Sequence, residues 1–265
     1  MRRPKFLIPL VVASVITAAL GVALIALEAD GSPEETDEIP VTEAPESTEP
    51  APESTPTPKF SANLSAYEKY MNANDDKYLV LVNKEHTIDG SFQPEELVEV
   101  KDANKNIELS KTAEMALEAM FKEMRTEGIT DVFVTSAYRS YSYQTSLFNT
   151  YIEQEMASGL SYDKARERVL TYSAYPGTSE HHTGLCVDLM TRSMSELDES
   201  FASYEVYPWL LENAWKFGFI LRYPEEKTEI TGYTFEPWHY RFVGRDHAYK
   251  MKQNNLCLEE YLAER

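Results

Sequence analysis

Two short stretches of this 265-residue chain gather groups that could do chemistry together. "TSEHHTGLCVDLM", residues 178–190, carries His181 and Asp188 seven positions apart, in a chain with only five histidines. "FEPWHY", residues 235–240, adds Glu236 and His239 three positions apart, each beside an aromatic residue. Zinc takes neutral imidazole nitrogen, thiolate and carboxylate as ligands, and a catalytic site supplies three of them while leaving one position for water. His181, Asp188 and His239 make up such a set. A water activated in this way also needs a nearby base that is not itself a ligand, and Glu236 fits that need. No H-E-x-x-H pattern occurs, so a thermolysin-like protease is excluded. Spacing alone leaves a plainer alternative open, in which these are satisfied polar residues bordering a strand.

Neighbouring residues are read as follows. Cys186, between Leu185 and Val187, is expected to be a small core residue whose thiol pKa is raised by an apolar strand. His182 adjoins a ligand position and should point elsewhere, lining the pocket. His86 and His247 are expected on the surface or in loops.

Local patterns indicate the elements that must position these groups. "YLVLVNKEH", residues 78–86, reads as a β-rich opening followed by a polar loop through "DGSFQPEELVEV". Ala116, Met120 and Met124, with Leu117 and Phe121 beside them, predict an amphipathic helix over 111–127 with Gly128 as its cap. Residues 141–156 and 161–172 predict two more helices, and "YPWLLENAWKFG" another, closed by Gly218. "DVFVTSAY", "LCVDLM", "FILRY" and "WHYRFV" predict strands, and the tail "AYKMKQNNLCLEEYLAE" a terminal helix. Helices cluster around several short strands without βαβ alternation and without internal repeats, which predicts an α+β fold.

The ends of the chain add organisation. Arg2, Arg3 and Lys5 precede residues 6–27, twenty-two residues without a charge. As a helix rising about 1.5 Å per residue, such a stretch spans a hydrocarbon core of roughly 30 Å. It exceeds the apolar region of a cleaved signal, about 7 to 15 residues. Residues 1–29 are therefore read as a cytoplasmic tip and transmembrane anchor, with everything after them exported. Residues 30–59 are dominated by Pro, Glu, Ser and Thr and are read as a disordered linker between the anchor and a catalytic domain at 60–265. Of the net charge of −19, three bases in residues 1–27 and ten acids against Lys59 in residues 28–59 leave −13 for residues 60–265. Nucleic acid is a poor partner for so acidic a domain. Export permits a Cys186–Cys257 disulfide, but the core reading of Cys186 favours two separate thiols.

Four ordered blocks carry a resemblance. "SAYRSYSYQ" (136–144), "PGTSEHHTGLCVDL" (176–189) and "EPWHYRFVG" (236–244) resemble the signature blocks of the VanY-type D-alanyl-D-alanine carboxypeptidases, and "LVNKEH" with "FQPEEL" resembles that family's N-terminal block. The resemblance implies a small α+β domain whose central antiparallel sheet, flanked by helices, holds one zinc ion. The S-x-H-x-x-G-x-x-x-D pattern falls on Ser179, His181, Gly184 and Asp188, and E-x-W-H falls on Glu236, Trp238 and His239. His181, Asp188 and His239 would then be zinc ligands and Glu236 the catalytic base. Arg139 would stabilise a developing oxyanion or hold a peptide carboxylate. Gln144 and Ser179 match positions expected to touch substrate. Cys186 departs from the pattern, which usually has a small residue such as Ala there.

The implied protein is a membrane-anchored, extracytoplasmic, monomeric zinc carboxypeptidase that trims the terminal D-Ala from peptidoglycan stem peptides. An L,D-carboxypeptidase acting on the tetrapeptide, or a cell-wall endopeptidase, would share its motifs. A non-catalytic wall-binding module would lack a ligand or the base, and all four residues are present.

Overall fold

The computed structural model describes residues 54–265. A small antiparallel pair, β1 (Leu97–Glu99) and β2 (Glu108–Ser110), precedes a four-stranded antiparallel sheet in the order β3 (Val132–Ser136), β4 (Cys186–Thr191), β6 (His239–Phe242), β5 (Phe219–Leu221). The architecture is α+β, a single domain of small sheets and helices. Side chains alternate across a strand. Val187 and Leu189 of β4, with Tyr240 and Phe242 of β6, therefore enter the main core. Cys186, Asp188, His239 and Arg241 are left on the opposite face. Strand register completes the arrangement, because Asp188 pairs with His239 and Cys186 with Arg241.

Helix α2 (Lys111–Thr126) supplies most of the packing on the apolar face. Its buried stripe includes Ala113, Ala116, Leu117, Met120, Phe121 and Met124, and Gly128 follows at φ 94°. Burying each large apolar side chain of such a stripe contributes roughly 1.5–3 kcal/mol. The one-turn α1 (Glu68–Met71) packs against this layer. Helices α3 (Tyr141–Ala157) and α4 (Tyr162–Val169) form a separate small cluster through Phe148, Ile152, Ala165 and Val169. α5 (Val206–Asn213) continues as a 3-10 turn, Ala214–Phe217, and ends at Gly218 with φ 84°. A short α6 (Thr228–Thr231) then precedes β6. At the start of the domain Phe60 packs against Phe217 with centroids 5.3 Å apart, and the Glu123 carboxylate accepts from the Ser61 and Ala62 amides at 2.6 and 2.8 Å.

Four expectations need correction. Residues 78–86 contain no strand: a 3-10 turn covers Asp76–Leu79 and no pairing follows. The carbonyls of Tyr78 and Val80, which a ladder would have used, instead accept from the buried Arg241 guanidinium at 2.8 and 2.9 Å. The Asn83 side chain then turns the chain by accepting from the amides of Glu85 and His86. Within the expected polar loop, the segment at Leu97–Glu99 is strand β1. The terminal helix is two helices, α7 (Arg245–Asn254) and α8 (Leu258–Ala263), separated at Asn255, whose φ of 51° is a conformation asparagine tolerates better than most residues. His247 is neither a surface nor a loop residue. It is buried in α7, where Nδ1 meets the Tyr261 hydroxyl at 2.8 Å and Nε2 the Asn74 carbonyl at 2.9 Å.

Among the described residues no helix is long and apolar enough to cross a membrane. The anchor expected at 1–29 and the linker as far as residue 53 lie outside the described residues, and residues 54–59 carry no helix or strand. Cys186 and Cys257 are both buried and free.

Candidate metal centre and active site

The site is assembled where a tight turn feeds β4. A 3-10 turn, Glu180–Thr183, carries His181 and closes on Gly184 at φ 65°. A Cβ at residue 184 would lie 3.1 Å from Leu97 Cδ2, in a left-handed conformation that costs a non-glycine residue about 1–3 kcal/mol. Gly184→Ala should therefore lower stability by that amount, which urea unfolding measures. A wild-type midpoint would show that the turn does not need glycine.

Three potential ligands converge beyond the turn. His181 Nδ1 lies 2.6 Å from the Ala137 carbonyl, which fixes the proton on that nitrogen and leaves the Nε2 lone pair facing Asp188 Oδ2 at 3.2 Å. His239 is held in the opposite sense: Nε2 faces Glu180 Oε2 at 3.2 Å, so its Nδ1 lone pair faces Asp188 Oδ1 at 3.0 Å. The two rings meet edge to face with centroids 5.0 Å apart. His181, Asp188 and His239 are each at most 4% exposed, and Asp188 Oδ1 is buried without a hydrogen-bond donor. Two nitrogen lone pairs and a carboxylate brought together in a buried pocket repel one another unless a cation sits among them. Two imidazoles and one carboxylate are the donor set of an open zinc site, so the residues fit the metal.

Cys186 belongs to the same face, and its surroundings differ from the expected apolar strand. Its sulfur and the nitrogens of His181 and His239 all lie within 4.8 Å of one another. Burial pushes the thiol pKa up, but the two imidazoles more than reverse this and bring it to about 7, opposite to the raised value expected. For Asp188, burial is likewise overridden by the two histidines, which in their protonated form hold its carboxyl well below the ordinary range.

Glu236 stands at the edge of this cluster. Its carboxylate lies 3.6 Å from His239 Nδ1, is 26% exposed, and receives no hydrogen bond from any described residue. Burial raises its pKa, with the Asp188 charge adding to the rise and His239 opposing it. Such a carboxylate is free to take a proton from a water molecule.

Arg139 approaches from the end of β3. Its Nη2 lies 3.5 Å from Asp188 Oδ2, its Nη1 donates to Gln144 Oε1 at 3.1 Å, and its buried Nε has no partner. Gln144, expected to touch substrate, is fully buried. Its Nε2 donates to the Ala174 carbonyl at 2.8 Å, so its amide holds Arg139 in place instead of reaching outward. Ser179 is buried at the start of the His181 turn, and its hydroxyl has no partner among the described residues. His182 points away from the cluster. Its Nδ1 donates to the Arg139 carbonyl at 2.7 Å, its Nε2 accepts from the Gly177 amide at 3.1 Å, and Tyr141 stacks on its ring.

Sequence reasoning missed Glu180. One of its oxygens accepts from Arg222 Nε at 2.8 Å and Arg241 Nη1 at 2.6 Å, while the other faces His239. Arginines inside the apolar runs "FILRY" and "WHYRFV" were the available signal, since a charge in a buried strand requires a partner. Tyr223 also went unnoticed. Its ring packs at a tilt against His239 with centroids 4.9 Å apart and stacks on Tyr233 at 4.6 Å.

Comparison with known proteins identifies a family. A sequence profile described as VanY, D-alanyl-D-alanine carboxypeptidase, matches residues 106–245. A putative carboxypeptidase, YodJ, of Bacillus subtilis is 39% identical over 196 residues, covering 71% of this chain and 68% of that protein. A D-alanyl-D-alanine carboxypeptidase of Enterococcus faecalis is 36% identical over 200 residues, covering 76% and 71%. Among solved structures, a mutant of the vancomycin resistance D,D-pentapeptidase VanY in complex with Zn(II) is 36% identical with a TM-score of 0.59, covering 70% of this chain and 99% of that one. The LD-carboxypeptidase LdcB is 37% identical with a TM-score of 0.62, covering 70% and 86%.

Proposed function

The chain belongs to the VanY family of D-alanyl-D-alanine carboxypeptidases, and from that premise we propose that it removes the terminal D-Ala from peptidoglycan pentapeptide stems. It is a zinc metallo-carboxypeptidase. The ligands in this reading are His181 through Nε2, His239 through Nδ1, and the Asp188 carboxylate. When bound, zinc supplies Lewis acidity, acidifying water and polarising the scissile carbonyl. Glu236 takes the proton from the attacking water as the new C–O bond forms, and delivers it to the departing amine nitrogen as the C–N bond breaks. Arg139 donates to the oxygen on which negative charge develops, with Gln144 orienting it. Ser179 offers its free hydroxyl to the bound peptide. The observation that carries the reading is the Glu236 carboxylate, unengaged and 3.6 Å from the metal-facing nitrogen of His239.

A second reading has its own support, the likeness to the LD-carboxypeptidase LdcB. An L,D enzyme would use the same ligands and base on the tetrapeptide. The two are separated by incubating residues 60–265 with defined penta- and tetrapeptide stems, with and without chelator, and weighing the products. Chelator-sensitive loss of one D-Ala from the pentapeptide is expected. Trimming of the tetrapeptide alone would transfer the assignment to an L,D-carboxypeptidase, and no zinc-dependent cleavage of either would overturn both.

The proposal extends to location: the uncharged stretch 6–27, behind Arg2, Arg3 and Lys5, anchors the enzyme with its catalytic domain outside the cell. Deleting residues 1–29 should then move activity from the membrane to the soluble fraction.

A further inference from the structure

The carboxylate that grips His239 is itself held from a distant part of the chain. Glu180 accepts from two guanidiniums, and these are anchored differently. Arg241 spends its remaining donors on backbone, at the carbonyls of Phe242, Tyr78 and Val80, so its position is set by the main chain. Arg222 turns its other end to Glu259 of α8, which it meets with two parallel hydrogen bonds of 2.9 and 2.7 Å. Both arginines are fully buried, and Glu259 sits at the rim with its side chain 13% exposed. Asn83 adds a bond to Glu259 at 3.3 Å.

Two buried guanidiniums against two carboxylates balance in charge, yet such pairs are weak evidence of a stabilising role, since well-packed apolar side chains often do as well. The chain of contacts does have a direction, because it ends on the one nitrogen of His239 that does not face the metal site. A partner on that second nitrogen fixes the tautomer and ring orientation of a ligating histidine.

We propose that Glu259, acting through Arg222 and Glu180, is a positioning residue for His239, so that the C-terminal helix and the zinc site form one coupled unit. The inference rests on the reading of His239 as a zinc ligand. Coupling of this kind is reciprocal: if α8 tightens zinc, zinc tightens α8.

The test uses the full chain, wild type and the variants Glu259→Gln, Glu180→Gln and the double variant. Zinc affinity is measured by competition with a chromophoric chelator, and amide exchange over residues 258–263 with and without zinc. Glu180→Gln should weaken zinc binding by about 10- to 100-fold. Glu259→Gln should weaken it by a smaller factor, at least about threefold, and should add nothing in the Glu180→Gln background, as expected of residues in one network. At saturating zinc, kcat should fall in both single variants while KM stays near the wild-type value. Zinc should slow exchange across α8 in the wild type but not in Glu259→Gln. Should Glu180→Gln fail to fold, the rim variant Glu259→Gln decides alone. Tight zinc binding in the wild type, with unchanged affinity and unchanged α8 exchange in Glu259→Gln, overturns this inference and leaves the enzyme assignment standing. A wild type that binds no zinc overturns the functional reading, and this inference with it.

Discussion

Replacing Glu236 with alanine should lower kcat by about 100- to 10,000-fold while the protein keeps one zinc per chain. The expectation follows from where the two carboxylates of the site lie. Asp188 is between the histidines, 3.2 Å from His181 and 3.0 Å from His239, which keep it ionised against the cost of burial and place it to serve as a ligand. Glu236 is beside the cluster, 3.6 Å from His239 Nδ1, and carries a pKa raised mainly by burial. A raised pKa makes a carboxylate a better acceptor for the proton of an attacking water. Product release from a defined stem peptide gives kcat, and elemental analysis gives the metal content. Turnover comparable to wild type would remove Glu236 from the mechanism. Loss of zinc along with activity would instead reassign it to the ligand set.

How far the site was legible depended on the distance over which its residues act. Within residues 178–190 the inference is local: a glycine at φ 65° turns the chain into a strand, and alternation puts Cys186 and Asp188 on one face. The pairing that sets His239 opposite Asp188 joins residues 51 positions apart. Spacing does not encode it: the residue types pointed to a shared metal, and the likeness of the blocks to a known family assigned the ligands. Glu180 shows the same limit, because its partners Arg222, His239 and Arg241 lie 42, 59 and 61 positions away. Apolar pattern misled at "YLVLV", where an arginine side chain, not a neighbouring strand, satisfies the carbonyls. The tail misled for a local reason, since a single asparagine at positive φ divides what periodicity reads as one helix. Gln144 is fully buried and its amide meets Arg139, a contact the block pattern does not distinguish from one with substrate.

Arg139→Ala should cost about 100- to 1,000-fold in kcat, the magnitude associated with loss of one donor to a developing oxyanion. The guanidinium is restrained on one edge, with Nη1 on Gln144 and Nη2 near Asp188, while the buried Nε has no acceptor. A buried donor without a partner costs about 1–3 kcal/mol. Lysine cannot reproduce this geometry, because its single ammonium cannot face Gln144, Asp188 and the substrate along a planar edge. Arg139→Lys should therefore recover little of the lost rate. Gln144→Ala should lower kcat less than Arg139→Ala, since it frees the guanidinium without removing it. The kinetic split decides between the two roles open to Arg139. A fall in kcat at constant KM assigns it to the oxygen that becomes negative during reaction, whereas a rise in KM at constant kcat assigns it to the peptide's terminal carboxylate. Wild-type values for both constants would mean that the arginine serves only to balance the charge of Asp188.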